Sequence, residues 1–311
     1  MNISNEEKKQ CFLCGETVMN STKEHIFPKW LLRKYNLYNQ RVKILMNNTT
    51  IQYKNLTIPC CLKCNGEHLS ILEGKMKKII EENSDQLQKE EEEIIFLWGA
   101  KIFYGLLYKE LELVFDRTDP ESSTIMNKEF LENYKTLHHL LQGIIVPTKY
   151  EGKPWSIFKF NIGEEGFDYY DSFLSYVFAI RLGKVAYIIC LEDGNIQQHE
   201  YSEYFSEIKR NVIHPVQFRE LIAKVNYKES LRIKNPIFTT ISQEIQRTLI
   251  ITKPSGNIYN QWEMSTYGKL LKQLLSEYGL NNYINVEGDK VTSYLFNEDG
   301  SFKNILKSHK K

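Results

Sequence analysis

Two sets of side chains in the first quarter of the chain have types and spacings suited to chemistry. Cys11 and Cys14, in "CFLC", and Cys61 and Cys64, in "CLKC", are each separated by two residues. That spacing lets one turn of backbone bring two thiolates onto one ion, and two such turns complete the closed tetrahedral set that structural zinc takes. Cys60 places a further thiol beside the second pair and is an alternative ligand, although the two-residue spacing shared with Cys11/Cys14 favours Cys61. Between the pairs stands "TKEHIFPKW", with Glu24 directly before His25. A neutral imidazole, whose pKa is ordinarily about 6.5, is suited to taking a proton from water at cellular pH. Successive side chains of an extended segment point to opposite sides, so Glu24 can hold a hard divalent ion while His25 faces the water.

Several elements must position these groups. "KWLLRKYNL" reads as a short helix with Pro28 near its first turn. "RVKILM" and "TIQYKNLTI" alternate β-branched or apolar residues with polar ones and read as strands, the second running into the second cysteine pair with Asn55 near its end. Beyond that pair Leu69, Leu72, Met76, Ile79 and Ile80 recur every three or four residues, the period of a helix. Asn65 opens that helix, either as its cap or as a second oxygen for the divalent ion. His68, three residues on, lies on the same helical face and is a further ligand candidate, with Glu73 beyond it.

The order of knuckle, acid-His step, strands, knuckle and Asn-led helix resembles the HNH nuclease family, of the ββα-metal type, in its zinc-knuckle form. "CFLC", "EHIFP", "NLTIPCCLKCN" and "GEHLSILE" carry the resemblance, which covers about residues 11 to 75. It implies a small zinc-stapled ββα-metal N-terminal domain; with the helices and strands read in the rest of the sequence, the chain is expected to be α+β, that domain followed by a larger mixed α+β domain. It implies an endonuclease that hydrolyses phosphodiester bonds, with His25 as general base and Asn55 orienting it. Glu24, Asn65 and His68 would surround a catalytic magnesium or manganese ion, separate from a structural zinc on Cys11, Cys14, Cys61 and Cys64. The implied substrate is nucleic acid, most often double-stranded DNA, and the implied setting is bacterial or phage defence, sometimes beside a partner ATPase. Glu24 departs from the commoner Asp and lengthens that arm by one carbon. Two other readings stay open: a zinc-built nucleic-acid-binding module that does not cut, and an RNA-cutting toxin.

Composition bounds the rest. The chain has 311 residues, 42% of them hydrophobic and 13% aromatic, enough to fill two cores. Residues 1 to 80 hold 13 Lys+Arg against 6 Asp+Glu, and the remaining 231 hold 27 against 33, so contact with a polyanion is expected in the first quarter. No run approaches the roughly 18 apolar residues of a membrane span, and "MNISNEEKKQ" lacks the apolar core of a signal peptide. A cytoplasmic location is therefore expected, with thiols kept reduced. The acidic, polar stretch 81–93 suggests a boundary, giving domains 1–93 and 94–311. In the second, "IIFLWGAKIFYGLLYKELELVF", "NKEFLENYKTLHHLLQGII", "PVQFRELIAKVNYKESL" and "QWEMSTYGKLLKQLLSEYGL" read as helices. "PWSIFKFNI" reads as a strand, and "DSFLSYVFAIRLGKVAYIICLEDG" as a hairpin turning at Leu182-Gly183-Lys184. The sequence leaves open whether this region regulates, recruits or forms a homodimer.

Overall fold

The computed structural model describes residues 9–18, 22–44, 49–84, 87–111, 113–114, 118–119, 124, 128–276, 279–280, 286–287 and 290–306. It is a mixed α+β structure that divides into two compact units. The first comprises residues 1–149 and 242–247, the second 150–241 and 248–311.

In the first unit, β1 (Lys9–Gln10) and β2 (Thr17–Val18) flank the first cysteine turn. β3 (Thr22–His25) pairs antiparallel with β6 (Thr57–Cys60), in the register Glu24 to Ile58 and His25 to Thr57. A π-helical turn, Cys64–Leu69, leads into α2 (Ser70–Glu82). The segment looped out between β3 and β6 holds α1 (Lys29–Lys34) and a ribbon of β4 (Arg41–Ile44) and β5 (Thr49–Gln52). The expected strand "TIQYKNLTI" is therefore two strands, broken by a 3-10 turn at Tyr53–Asn55 whose carbonyl of Tyr53 accepts from the N–H of Leu56.

α3 (Lys89–Glu110) starts with a capping box between Gln88 and Glu91 and buries residues on every side, including Trp98, Phe103 and Leu107. It packs on α2 and on β6. Gly105 lets it approach closely: a Cβ there would lie 3.3 Å from Ile26 and from Ile58. After α4 (Lys128–Glu132), α5 (Lys135–Leu141) brings His138 Nε2 to 3.1 and 3.0 Å from the carbonyl oxygens of Phe12 and Leu13, and Gln142 donates to Leu13 O at 2.6 Å. The first unit thus extends to Lys149 rather than ending at residue 93, because α3 fills its centre and α5 holds the first cysteine turn.

In the second unit, β8 (Ser156–Ile162), β9 (Phe167–Ser172), β10 (Val177–Leu182), β11 (Val185–Cys190) and β12 (Val212–Ile213) form one sheet in the order β12-β8-β11-β10-β9. β10 and β11 turn at Gly183, whose φ of 72° a glycine adopts without cost. The sheet's buried face carries Phe158, Phe160, Ala179 and Ile188 in one core with α8 (Pro215–Ser230) and α9 (Met264–Leu275). Pro215 and the His214–Gln217 capping box start α8.

Candidate metal centre and His25 cleft

Cys11, Cys14, Cys61 and Cys64 place their sulfurs within 4.8 Å of one another. Cys14 and Cys61 are 3.9 Å apart, the edge expected of a tetrahedron with metal–sulfur bonds of about 2.3 Å. These four cysteines could hold a metal ion such as zinc. Hydrogen bonding with Cys60 Sγ, 3.8 Å away, draws the Cys11 thiol down to about 4, but burial pushes Cys14 up to about 11 and also raises Cys64. Bare thiols packed this way cannot all ionise, and a divalent cation bound among them would supply the compensation the group lacks. Cys60 is fully buried beside Cys11 but stands outside the mutually close set.

The two faces of β3 serve different surroundings. On one, Lys23 and His25 open onto a cleft of about 530 Å³, lined also by Asn55, Lys54, Tyr38 and Lys109. Lys54 is steadied by a 2.9 Å hydrogen bond to Asn39 Oδ1. Burial, then the neighbouring Lys29, lowers the His25 pKa from its ordinary value, with Glu24 opposing. The imidazole is therefore neutral, and able to accept a proton, at cellular pH. Asn55 is exposed at the end of its 3-10 turn on the rim of the same cleft.

On the other face the expected divalent site is differently filled. Glu24 is buried, and its Oε1 lies 2.6 Å from Nζ of Lys101, a side chain with no exposed surface. The same ammonium reaches Glu73 Oε1 at 3.2 Å and the carbonyl oxygens of His25 and Ile26 at 2.7 and 3.2 Å. Burial alone would lower the Lys101 pKa, but Glu24 and Glu73 outweigh it and the net shift is upward. The cation that faces Glu24 belongs to the chain itself. Asn65 uses its amide N–H₂ on Thr22 Oγ1, 2.8 Å away, which in turn donates to Cys60 O at 2.9 Å, so it ties the second cysteine turn to β3. His68 has its Nε2 buried without a hydrogen-bond partner among the described residues. Among those residues Glu24, Glu73 and His68 form no metal-ligating group. A magnesium or manganese ion asks for several free oxygens, and this donor set does not fit one.

The sequence missed Lys101 because it lies more than seventy residues beyond Glu24; its one signal is a lysine within the apolar run "FLWGAKIFYG". A second buried group, Cys190, Asp193 and Glu229, lies in the second unit. Asp193 accepts from Ser156 Oγ, Gln197 N and Asn195 N, and Glu229 from Gln197 Nε2 and Arg232 Nε. Every carboxylate oxygen is satisfied, which marks a structural network.

Compared with known proteins, the chain matches no family model, no curated protein and no solved structure. No helix among the described residues is long and apolar enough to cross a membrane.

Proposed function

We propose that the first unit is a nuclease module that hydrolyses phosphodiester bonds of nucleic acid, double-stranded DNA in particular, with His25 as general base. The observation that carries this reading is the neutral imidazole of His25 opening onto a cleft with Asn55, Lys23, Lys54 and Lys109. His25 takes a proton from water, the resulting hydroxide forms a bond to phosphorus, and the opposite P–O bond breaks to release an alcohol oxygen that gains a proton. Charge grows on the non-bridging oxygens as this happens, and fixed ammonium groups beside them favour that state over the ground state. Asn55, which lines the same cleft, would orient the imidazole. Because the donors beside Glu24 do not fit a magnesium or manganese ion, no step is assigned to one there.

One observation favours a second reading, binding without cleavage: Glu24, the carboxylate of the acid-His step, is already neutralised by Lys101. Incubating the purified full chain with supercoiled plasmid, linear duplex and total RNA, with and without magnesium or manganese, decides between them. Nicked or linear plasmid supports cleavage; intact substrates in every mixture, with retained binding, support the second reading.

The lowered pKa of His25 sets the pH profile. A base must be deprotonated to work, so the cleavage rate should rise with pH to a plateau, and the midpoint of that rise should fall below 6.5. Rates between pH 4.5 and 8 on one labelled duplex test this; a midpoint above 6.5 would contradict the environment described for His25.

A further inference from the structure

Between the two cysteine turns the charge is one-sided. Residues 17 to 63 contain eight lysines and arginines and a single acidic residue, Glu24. That acid is buried against Lys101, whereas seven of the eight basic residues are exposed and Lys54 is half-buried. The surface of this segment is therefore positive with no carboxylate to offset it, which is the electrostatic footprint of a polyanion partner.

The ribbon gives that charge a shape. β4 and β5 pair in the register Arg41 to Gln52 and Lys43 to Thr50. With the strand period of two, these four side chains share one face, and Arg41, Lys43 and Thr50 on it are exposed. Val42 and Ile51, directly paired, lie half-buried on the other. No described carboxylate pairs with Arg41 or Lys43. Arg, Lys, Thr and Gln are the side chains that donate to phosphates and to base edges. A two-stranded ribbon fits the roughly 12 Å width of the B-DNA major groove, and four residues of strand, about 13 Å, run along about four base pairs.

We infer that the β4–β5 ribbon is the element by which this chain grips duplex DNA, its Arg41/Lys43 face lying in the major groove. The inference rests on the nuclease reading for the choice of partner, but it is read out by binding and not by cutting. The deep, narrow major groove of duplex RNA does not admit such a ribbon, and a single strand offers no groove, so duplex DNA is the preferred occupant.

The test measures binding of the full chain to a 25-base-pair DNA duplex, the matching single strand and the matching RNA duplex, in EDTA, across a series of salt concentrations. The wild type should bind the DNA duplex most tightly, and N7 methylation of guanines, which projects into the major groove, should interfere. The double variant Arg41→Ala/Lys43→Ala should keep its metal content and melting temperature, while its salt slope falls by about 2, one unit per lost phosphate contact. A control variant, Lys77→Ala/Lys78→Ala, removes equal charge from α2, where both lysines are paired with Glu81 and Glu82, and should change the slope little. An unchanged slope in the ribbon variant, equal losses in both variants, equal affinity for duplex RNA, or no binding by the wild type would each overturn the inference. Tight ribbon-dependent binding with no cleavage in any metal overturns the nuclease reading alone; cleavage with undiminished binding by the ribbon variant overturns the ribbon alone.

Discussion

Cys61→Ser is expected to strip the metal from the first unit and to unfold the segment between β1 and α2. Its sulfur is one of four held within 4.8 Å, and a hydroxyl neither ionises nor binds zinc as a thiolate does. Structural zinc in small Cys-rich units contributes on the order of 10 kcal/mol of apparent binding energy, all of it available to folding. Loss of that ion exceeds anything the small surrounding core can replace, with strands of only two to four residues. Elemental analysis should find one metal ion per wild-type chain and none in the variant. Hydrogen exchange should show β3 and β6 unprotected. Cys60→Ser should retain the ion, because Cys60, 3.8 Å from Cys11, stands outside the mutually close group. A metal-free wild type that is fully folded, or a Cys60 variant that loses the ion while Cys61→Ser keeps it, would contradict the assignment.

Lys101→Met should be the most damaging single change away from the cysteines. Methionine fills much of the same space, so the loss is the charge and its hydrogen bonds. Glu24 would remain buried and Glu73 half-buried without their cation, and the carbonyls of His25 and Ile26 would lose their donor. Breaking one side of a buried ion pair typically costs about 3–5 kcal/mol, because the remaining charge stays desolvated. Denaturant unfolding followed by a probe in the first unit should show that loss. Adding Glu24→Gln to Lys101→Met should recover part of it, since a neutral amide tolerates burial better than a bare carboxylate. A Lys101→Met protein within 1 kcal/mol of wild type would show that the ammonium does not hold these groups.

Local chemistry was legible in the sequence, and distant pairing was not. Two matched CxxC spacings locate four cysteines that could hold one metal ion, and even the preference for Cys61 over Cys60 follows from that spacing. The period of Leu69, Leu72, Met76 and Ile79/Ile80 gives α2, and the break at Leu182-Gly183-Lys184 gives the β10–β11 hairpin, because each signal is contained within a few turns of chain. The opposite faces of Glu24 and His25 are likewise a property of one strand. What sits against Glu24 is a different matter: a carboxylate and an ammonium more than seventy residues apart are joined only by the packing of α3 on β3 and β6. The contact of His138 with the carbonyls of Phe12 and Leu13 is equally invisible in the sequence, because more than 120 residues separate them. The polar stretch 81–93 suggests a domain boundary but is the joint between two packed helices. There Asn83, in the left-handed conformation, ends α2, and Gln88 starts α3. β9 leaves no clear signal in the sequence, because "FDYYDS" does not keep a strict apolar–polar alternation, and in the fold every one of its residues is half-buried.

The role proposed for His25, taking the proton from the attacking water, is probed by the single-turnover rate of plasmid nicking by wild type and His25→Ala, each checked for equal metal content, melting temperature and DNA affinity. The imidazole opens onto the cleft and makes no described hydrogen bond that its removal would break, so the fold should stand. The rate should fall by about two orders of magnitude or more, the usual contribution of a positioned general base. A His25→Ala protein that binds and nicks the plasmid at the wild-type rate would contradict the account.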